Sequence, residues 1–489
     1  MTAGETAAAS AASARERQAL AWLYRFSDWE RGVGWSRDAA PGEVWKLGRT
    51  RALLDLAGAP DRRMKIVHVA GTKGKGSTIA YLEAIIQAAG WRTGAYTQPH
   101  LHNFRERIRL DGQPVDGPQF VAVVDRLQDL VGRLAKSHPQ AGAPTTFELT
   151  TVLAILLCER AGVDVALMEV GLGGRLDATN ALDTDLAVLA KVGLDHRQIL
   201  GATLAEIAAE KAAIVRRGQT VLSAVQRPPA RDVITARCLT MGATLRVVPP
   251  LRLRWARGAD GQIMGTLASG EPFQAHLGLA TLLEGVGEHQ RQNAALAVAV
   301  AEALVPMGLP LSAAAVEQGL HDAWIPARLE LVGLRPRLLI DAAHNVDSAR
   351  ALADELRRWQ TRPLWLVLGI LRDKDANAIL RVLLPLADGV VVVTPTSPRA
   401  LPAEALAAAV RTVRIVGATE PLETERVSSA GAGIEMARQR AGRDGAVVVA
   451  GSFATASEAR AALGLQDVVT GAARRAWLRD GGLDQPPDD

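Results

Sequence analysis

The sequence predicts an α/β fold built on parallel sheets, and three observations predict it. Short apolar runs alternate with Ala- and Leu-rich amphipathic stretches through most of the chain, the pattern of strand–helix–strand units. A glycine- and lysine-rich stretch follows one apolar run directly and opens a helical pattern, as a loop at the carboxyl end of a parallel strand does. Further apolar runs end in turns bearing Glu, Asp or His, the edge at which open parallel sheets bind their ligands.

In chain order, strands are expected over 66–70, 165–170, 186–192, 338–340, 364–368, 390–394 and 446–450, most of them followed by helices. Leu82, Ile85, Ile86 and Ala89 share one helical face, and Gly90 is placed to end that helix. Residues 243–280 carry shorter runs punctuated by Pro249, Pro250, Gly258, Gly261 and Gly265, and read as a small β-rich insertion. Trp324-Ile325-Pro326 interrupts the helical pattern and divides an N-terminal domain, 1–323, from a C-terminal domain, 324–489. Residues 1–14 are Ala/Ser-rich and lack an apolar segment of signal-peptide type, so a disordered leader is expected there, and a tail from about 470 to 489. No internal repeat is visible.

Composition narrows the function classes. The chain has 489 residues, 48% apolar and 22% charged, which supplies a large core. Aromatics are only 4%, so Ala, Val and Leu must fill it. The net charge of +4 is dispersed, without the concentrated basic patch of a nucleic-acid binder. No run of about 18 apolar residues suggests a membrane span. Two cysteines, Cys158 and Cys238, exclude a disulfide scaffold and a Cys-based zinc site, and suit a reducing cytoplasm.

The stretch Gly71-Thr72-Lys73-Gly74-Lys75-Gly76-Ser77-Thr78 carries the strongest local chemistry. Its glycines let backbone N–H groups curl around an anion, and the helix that follows adds its positive end. Lys75 can reach terminal phosphates, and the Ser77 hydroxyl can hold Mg²⁺. The strict P-loop pattern is not met, because Val69 stands at its first glycine and Gly76 separates Lys75 from Ser77. A glycine-rich turn without a ligand is the bland alternative. Glu169, Asp195-His196 and Asp341 to Asn345 each follow an expected strand. A carboxylate there suits a hard cation, although each could simply cap a helix. Lys211 lies on the apolar stripe of Leu204, Ile207, Ala208, Ile214 and Val215 in a helix expected over 203–217. It is either a snorkelling lysine or a buried amine with a lowered pKa.

Together these segments resemble the folylpolyglutamate synthase/dihydrofolate synthase family of Mur-type ligases. Tyr96 to Leu101 with Phe104 to Ile108, Glu169 to Asn180, Gly193 to His196, Glu210-Lys211-Ala212, His289-Gln290 with Asn293, Arg328 to Glu330, and Asp373-Lys374-Asp375 carry the resemblance alongside the glycine loop. It runs from about Lys46 to about Leu463. It implies a P-loop-type ATPase domain and a smaller Rossmann-like domain closing over the substrates. ATP would lie on Thr72, Lys73, Gly74, Lys75, Gly76 and Ser77, with Asn293, Arg328 and Asp341. Mg²⁺ would be held by Ser77, Gln98, Glu169 and His196. Lys211 would be carbamylated and, with Lys75 and His344, catalytic. The pterin would lie near Thr145, Thr146, Phe147 and Glu148 and near Leu176, Asp177 and Ala178.

The implied reaction is ATP-dependent addition of L-glutamate to dihydropteroate or to the γ-carboxyl of folate tails, by a monomer without nucleic-acid or membrane partners. A Mur-type ligase acting on a cell-wall precursor and a catalytically silent nucleotide-binding protein are the rival readings. Two departures from the family pattern stand out. Gln98 replaces the usual serine, and Thr146 replaces the usual aromatic residue before Phe147. The segment 29–45 is also unusually long and tryptophan-rich.

Overall fold

In a computed structural model, the described residues are 3–27, 47–250, 288–413 and 422–467, with three short strands within 251–287. The tryptophan-rich stretch 29–45 and the expected tail lie outside them. The chain forms two compact units. Unit 1 comprises Met1–His100, Phe104–Ala280 and Gln290–Ala323, and unit 2 comprises Leu101–Asn103, Thr281–His289 and Trp324–Asp489. Both are α/β, as the alternating pattern predicts.

Unit 1 holds an eight-stranded sheet of β1 (Lys65–Ala70), β2 (Thr93–Tyr96), β3 (Ile108–Leu110), β4 (Gln113–Pro114), β5 (Val165–Glu169), β6 (Leu186–Leu189), β7 (Thr220–Ala224) and β8 (Thr244–Val248). Their order is β4-β3-β2-β5-β1-β6-β7-β8. The six strands from β2 to β8 in that order pair in parallel, while β3 and β4 form an antiparallel edge. β1 lies between β5 and β6, with Val69 opposite Glu169 and Ala70 opposite Leu189. All five residues of β5 are buried, as expected where helices cover both faces of a parallel sheet.

Two expectations are corrected here. Residues 244–248 belong to the main sheet as β8, not to the β-rich insertion expected over 243–280. The helix Pro228–Met241 is the crossover that returns the chain parallel to β7. The remaining strands, β9 (Leu253–Arg254), β10 (Ile263–Thr266) and β11 (Pro272–Ala275), do form a small separate antiparallel sheet. In place of the disordered leader, one helix spans Ala3–Leu23. Alanine is the best helix former, and Ala19 and Leu23 are buried in the core of unit 1. Arg15 pairs with Asp125 at 3.1 Å and Glu16 with Arg105 at 2.8 Å.

Unit 2 holds β12 (Glu330–Leu334), β13 (Arg337–Ile340), β14 (Leu364–Leu368), β15 (Gly389–Val393), β16 (Glu423–Val427) and β17 (Ala446–Ala450). Their order is β12-β13-β17-β14-β15-β16, parallel except for the β12–β13 hairpin. Side chains alternate across a strand, so each apolar run feeds two cores. Leu364, Leu366 and Leu368 enter one with Val390, Val392 and Val448. Trp365 and Val367 enter the other with Val391, Val393, Val447 and Val449.

A fully buried ion pair, Glu330–Arg460, ties the start of β12 to the helix Phe453–Ala462. Glu330 also accepts from the Ala327 amide at 2.6 Å, and Arg460 donates to the Leu465 carbonyl at 2.7 Å. Removing one member of such a pair strands a buried charge, whereas removing both leaves none. Arg460→Met is therefore expected to destabilise unit 2 by about 3–5 kcal/mol in a denaturant titration. The double variant Glu330→Met/Arg460→Met is expected to recover part of that loss.

Candidate active site

The glycine loop sits at the carboxyl end of β1 and opens the helix Lys75–Ala88, with Gly74 as its N-cap at φ 86°. An L side chain is strained at that φ, and a Cβ there would overlap the Asn293 side-chain oxygen. The loop is held from the neighbouring strand, because the Lys191 carbonyl after β6 accepts from both Thr72 N (2.9 Å) and Lys73 N (3.1 Å). The Thr72 hydroxyl donates to the Gly193 carbonyl at 3.1 Å and accepts from its N–H at 3.0 Å. Asn293, on the helix Glu288–Leu304, donates to Gln290 Oε1 at 3.0 Å with its Oδ1 against the loop. The N-terminal amides of the Lys75 helix are thus placed where they could hold an anion.

Glu169 ends β5 beside this loop. Its Oε1 lies 3.5 Å from Lys75 Nζ, and its Oε2 accepts from the Gln98 backbone N–H at 3.1 Å. Glu169 and Ser77 are both buried, and Glu169 Oε2 is 3.4 Å from where a Cβ on Gly76 would stand. A hard cation could take the Glu169 carboxylate and the Ser77 hydroxyl together. Gln98 Nε2 is buried without a hydrogen-bond partner and lies against Gly171. A Cβ on Gly171 would meet Gln98 Nε2 at 3.2 Å and the Phe147 ring at 2.7 Å. His196 takes a left-handed conformation (φ 48°), its side chain is 41% exposed, and it sits 3.9 Å from its neighbour Asp195. Among the described residues no three His, Cys, Asp or Glu side chains cluster as a metal site; the expected set contains only two residues of those types.

Lys211 is buried at 5% exposure. Its helix, Leu204–Ala212, is shorter than the sequence pattern suggests, but Ile214 and Val215 remain in the same core. No hydrogen bond or ion pair engages its amine among the described residues. Burial, with the Lys75 charge adding to it, pulls its pKa down to about 7 against the opposing pull of Asp195, Asp177 and Glu210. The snorkelling alternative therefore gives way to a buried amine close to the phosphate loop.

The residues expected at the pterin are engaged unequally. Thr145 caps the helix Thr146–Ala161 and forms a capping box with Glu148. Glu148 is buried in an ion pair with Arg49 at 2.8 Å. The Thr146 hydroxyl donates to the Leu23 and Phe26 carbonyls. These three side chains spend their polar atoms inside the protein, while the Phe147 ring borders Gly171 with its centroid 6.3 Å from that of Tyr96. Leu176 is half-buried and Ala178 buried. Both Asp177 oxygens are engaged, Oδ2 by Leu172 N at 2.9 Å and Oδ1 by Thr179 N at 3.0 Å and the Thr179 hydroxyl.

Within unit 2, Asp341 directly follows β13 and accepts from Leu329 N and Ala343 N, each at 2.8 Å. Burial raises its pKa, and the Arg328 charge opposes that shift. The Arg328 guanidinium lies 4.8 Å over the Phe453 ring. His344 Nδ1 is 2.9 Å from the Ala342 carbonyl, and its ring packs 5.4 Å from Phe453.

Sequence reasoning did not single out Lys191 or Arg49, and it took in His68 only as the start of the glycine-loop segment, without a role. Lys191 acts through its carbonyl, which no side chain announces. Arg49 meets Glu148 across 99 residues of chain. His68 alternates inward on an apolar strand, and an unbroken apolar strand pattern conceals its partner.

The Lys211 shift makes a linkage prediction. Its folded pKa lies near 7, below the ordinary lysine value of 10.5, so between those values the unfolded chain binds the extra proton and stability rises with pH. In CO₂-depleted buffer, the wild type is expected to gain stability on Lys211→Met by up to about 1.4 kcal/mol per pH unit over that window. Parallel stability–pH curves for the two proteins would refute the assignment.

Known proteins resemble this chain along most of its length. A model of the Mur ligase, glutamate ligase domain matches residues 327–453. A dihydrofolate synthase/folylpolyglutamate synthase of Mycobacterium tuberculosis is 37% identical over 445 residues, covering 86% of this chain and 90% of the relative. The structure of Mycobacterium tuberculosis folylpolyglutamate synthase complexed with ADP and AMPPCP superposes with a TM-score of 0.76 at 32% identity, over 92% of this chain and 98% of that one. A Yersinia pestis bifunctional folylpolyglutamate synthase/dihydrofolate synthase complexed with AMPPNP and Mn ion gives 0.73 at 29%, over 92% and 98%. With its phosphate loop, its buried lysine and a relative of this identity aligned along most of both chains, the protein belongs to the folylpolyglutamate synthase/dihydrofolate synthase family of Mur ligases.

Proposed function

We propose that the protein is an ATP-dependent ligase that joins the amine of L-glutamate to the carboxyl group of dihydropteroate, to the γ-carboxyl of a folate glutamate tail, or to both. The observation that carries this reading is the preformed anion loop with Lys75 held against Glu169, in a chain that aligns along most of its length with synthases of that name. A carboxylate does not condense with an amine in water unaided. Its oxygen attacks the γ-phosphorus of ATP, ADP leaves, and the glutamate amine then displaces phosphate from the acyl phosphate.

The loop amides and Lys75 hold the phosphates, so their contribution is positioning and electrostatic stabilisation of the transferring group. The Glu169 carboxylate and Ser77 hydroxyl would hold Mg²⁺, with Gln98 and His196 as further donors. That ion would neutralise charge building on the transferred phosphoryl oxygens. Lys211 enters as a neutral amine. Its nitrogen adds to CO₂ and releases a proton, giving a carbamate that suits a place near Lys75 where an ammonium is repelled. Phe147 and the 176–178 segment form the pterin side in this reading, with Thr145, Thr146 and Glu148 shaping the wall that carries Phe147.

Purified protein assayed with ATP and glutamate against dihydropteroate and against tetrahydrofolate tests the reading and separates the two activities. Product from neither substrate would overturn it. Lys75→Ala is expected to keep its fold and lose at least about 100-fold in kcat, as removal of a charge-stabilising donor does. Glu169→Gln is expected to shift the Mg²⁺ dependence of the rate to higher concentration. Lys211→Ala is expected to be nearly inactive, with partial recovery on adding a small carboxylate such as formate. Unchanged turnover by folded Lys211→Ala would remove the carbamate from the mechanism.

A further inference from the structure

His68 is fully buried on β1, three residues before the phosphate loop. Its Nε2 lies 2.8 Å from the Thr179 hydroxyl oxygen, and that hydroxyl donates to Asp177 Oδ1. Asp177 Oδ2 in turn accepts from the Leu172 amide at 2.9 Å. With Asp177 ionised, Thr179 spends its only hydroxyl proton on that carboxylate, the threonine oxygen accepts from His68, and Nε2 carries the hydrogen. Nδ1 is buried without a hydrogen-bond partner. Burial, reinforced by the Arg216 charge, keeps the ring neutral by holding its pKa near 3. A buried histidine with one satisfied nitrogen and one orphan is a poor packing residue, because an apolar side chain would fill the space without stranding a polar atom.

We propose that His68 is a positioning residue for the substrate loop, locking Gly171–Thr179 onto the strand that carries the phosphate loop through the Nε2–H bond to Thr179. The proposal rests on the glutamate-ligase reading for its functional consequence. Gly171 is where the Phe147 ring and the Gln98 amide converge, so the lock sets the wall against which they pack. It also shows that both Asp177 oxygens are already committed, which gives this carboxylate the task of holding the loop.

Three variants separate the lock from simple packing. His68→Leu keeps similar bulk and removes the donor. His68→Gln places an amide N–H where Nε2–H stood. Thr179→Val removes the relay hydroxyl at constant shape. Two readouts apply: hydrogen exchange of the backbone amides over 171–180, and steady-state kinetics with ADP affinity measured alongside. One buried hydrogen bond and its orphaned partner correspond to about a tenfold effect or more. His68→Leu is therefore expected to speed exchange at Leu172 and Thr179 and to lower kcat/KM for the pterin-bearing substrate by that factor, with ADP affinity kept within about twofold. His68→Gln is expected to restore both readouts. Thr179→Val should reproduce the loss, and adding it to His68→Leu should cost nothing further.

Unchanged exchange in His68→Leu would overturn the proposal, as would equal losses in the Leu and Gln variants, or a parallel loss of ADP affinity. If His68→Leu does not fold, Thr179→Val carries the same test. If the wild type ligates glutamate to neither substrate, the functional reading fails, while the exchange data still decide whether the lock exists.

Discussion

The site hangs on the parallel pairing of β1 with β5 on one side and β6 on the other. Parallel strands bring their carboxyl ends to one edge, so the phosphate loop after β1, Glu169 at the end of β5 and Lys191 after β6 become neighbours although the chain separates them widely. Register sets the chemistry. Val69 stands opposite Glu169, which brings that carboxylate to 3.5 Å from Lys75. A slip of two residues would keep every side chain on its proper face but move Glu169 by about 6.6 Å, beyond any direct interaction with the lysine. The loop has the same dependence, since its shape is held by a carbonyl of the adjacent strand connection and not by its own glycines alone.

Around that edge, burial sets the charge states. Lys75 has a carboxylate in reach, whereas Lys211 lies in an apolar core with a second lysine near enough to lower its pKa further. The two amines therefore have different chemistry. One keeps an ion-pair partner, and the other is biased toward the neutral form. Asp177 shows the complementary case, in which burial raises the pKa of a carboxylate and backbone and hydroxyl donors offset the cost. Unit 2 meets the same problem at Glu330 and Arg460, where a complete ion pair with additional backbone contacts makes full burial tolerable.

Much of this was legible in the residues. All seven strands expected from apolar runs are present, and the helix after the glycine loop ends where Gly90 was placed to end it. The short strands β2, β3 and β4 were not legible, because two to four residues carry too little periodicity. β8 reads in the sequence as part of an insertion because it is short and Pro249 and Pro250 follow it directly. The Ala-rich start of the chain reads as featureless until Ala19 and Leu23 find a core to enter. The Thr145–Glu148 segment stood out as a substrate contact, yet its capping box is equally plain in the residue types, and the Arg49 partner explains the buried glutamate.

The sequence by itself determined the fold class, the glycine loop that opens a helix after β1, and the strand-end positions of the acidic groups. Those properties follow from interactions among near neighbours: alternation, helical period, glycine conformation and capping. Tertiary structure alone decided that Lys211 is buried, that Arg49 takes Glu148, that Lys191 brackets the loop, and that His68 reaches Thr179 across 111 residues of chain. Each of these depends on strand register and on which faces pack together. Desolvation and long-range pairing act on the folded surface, and no local stretch of residues encodes them.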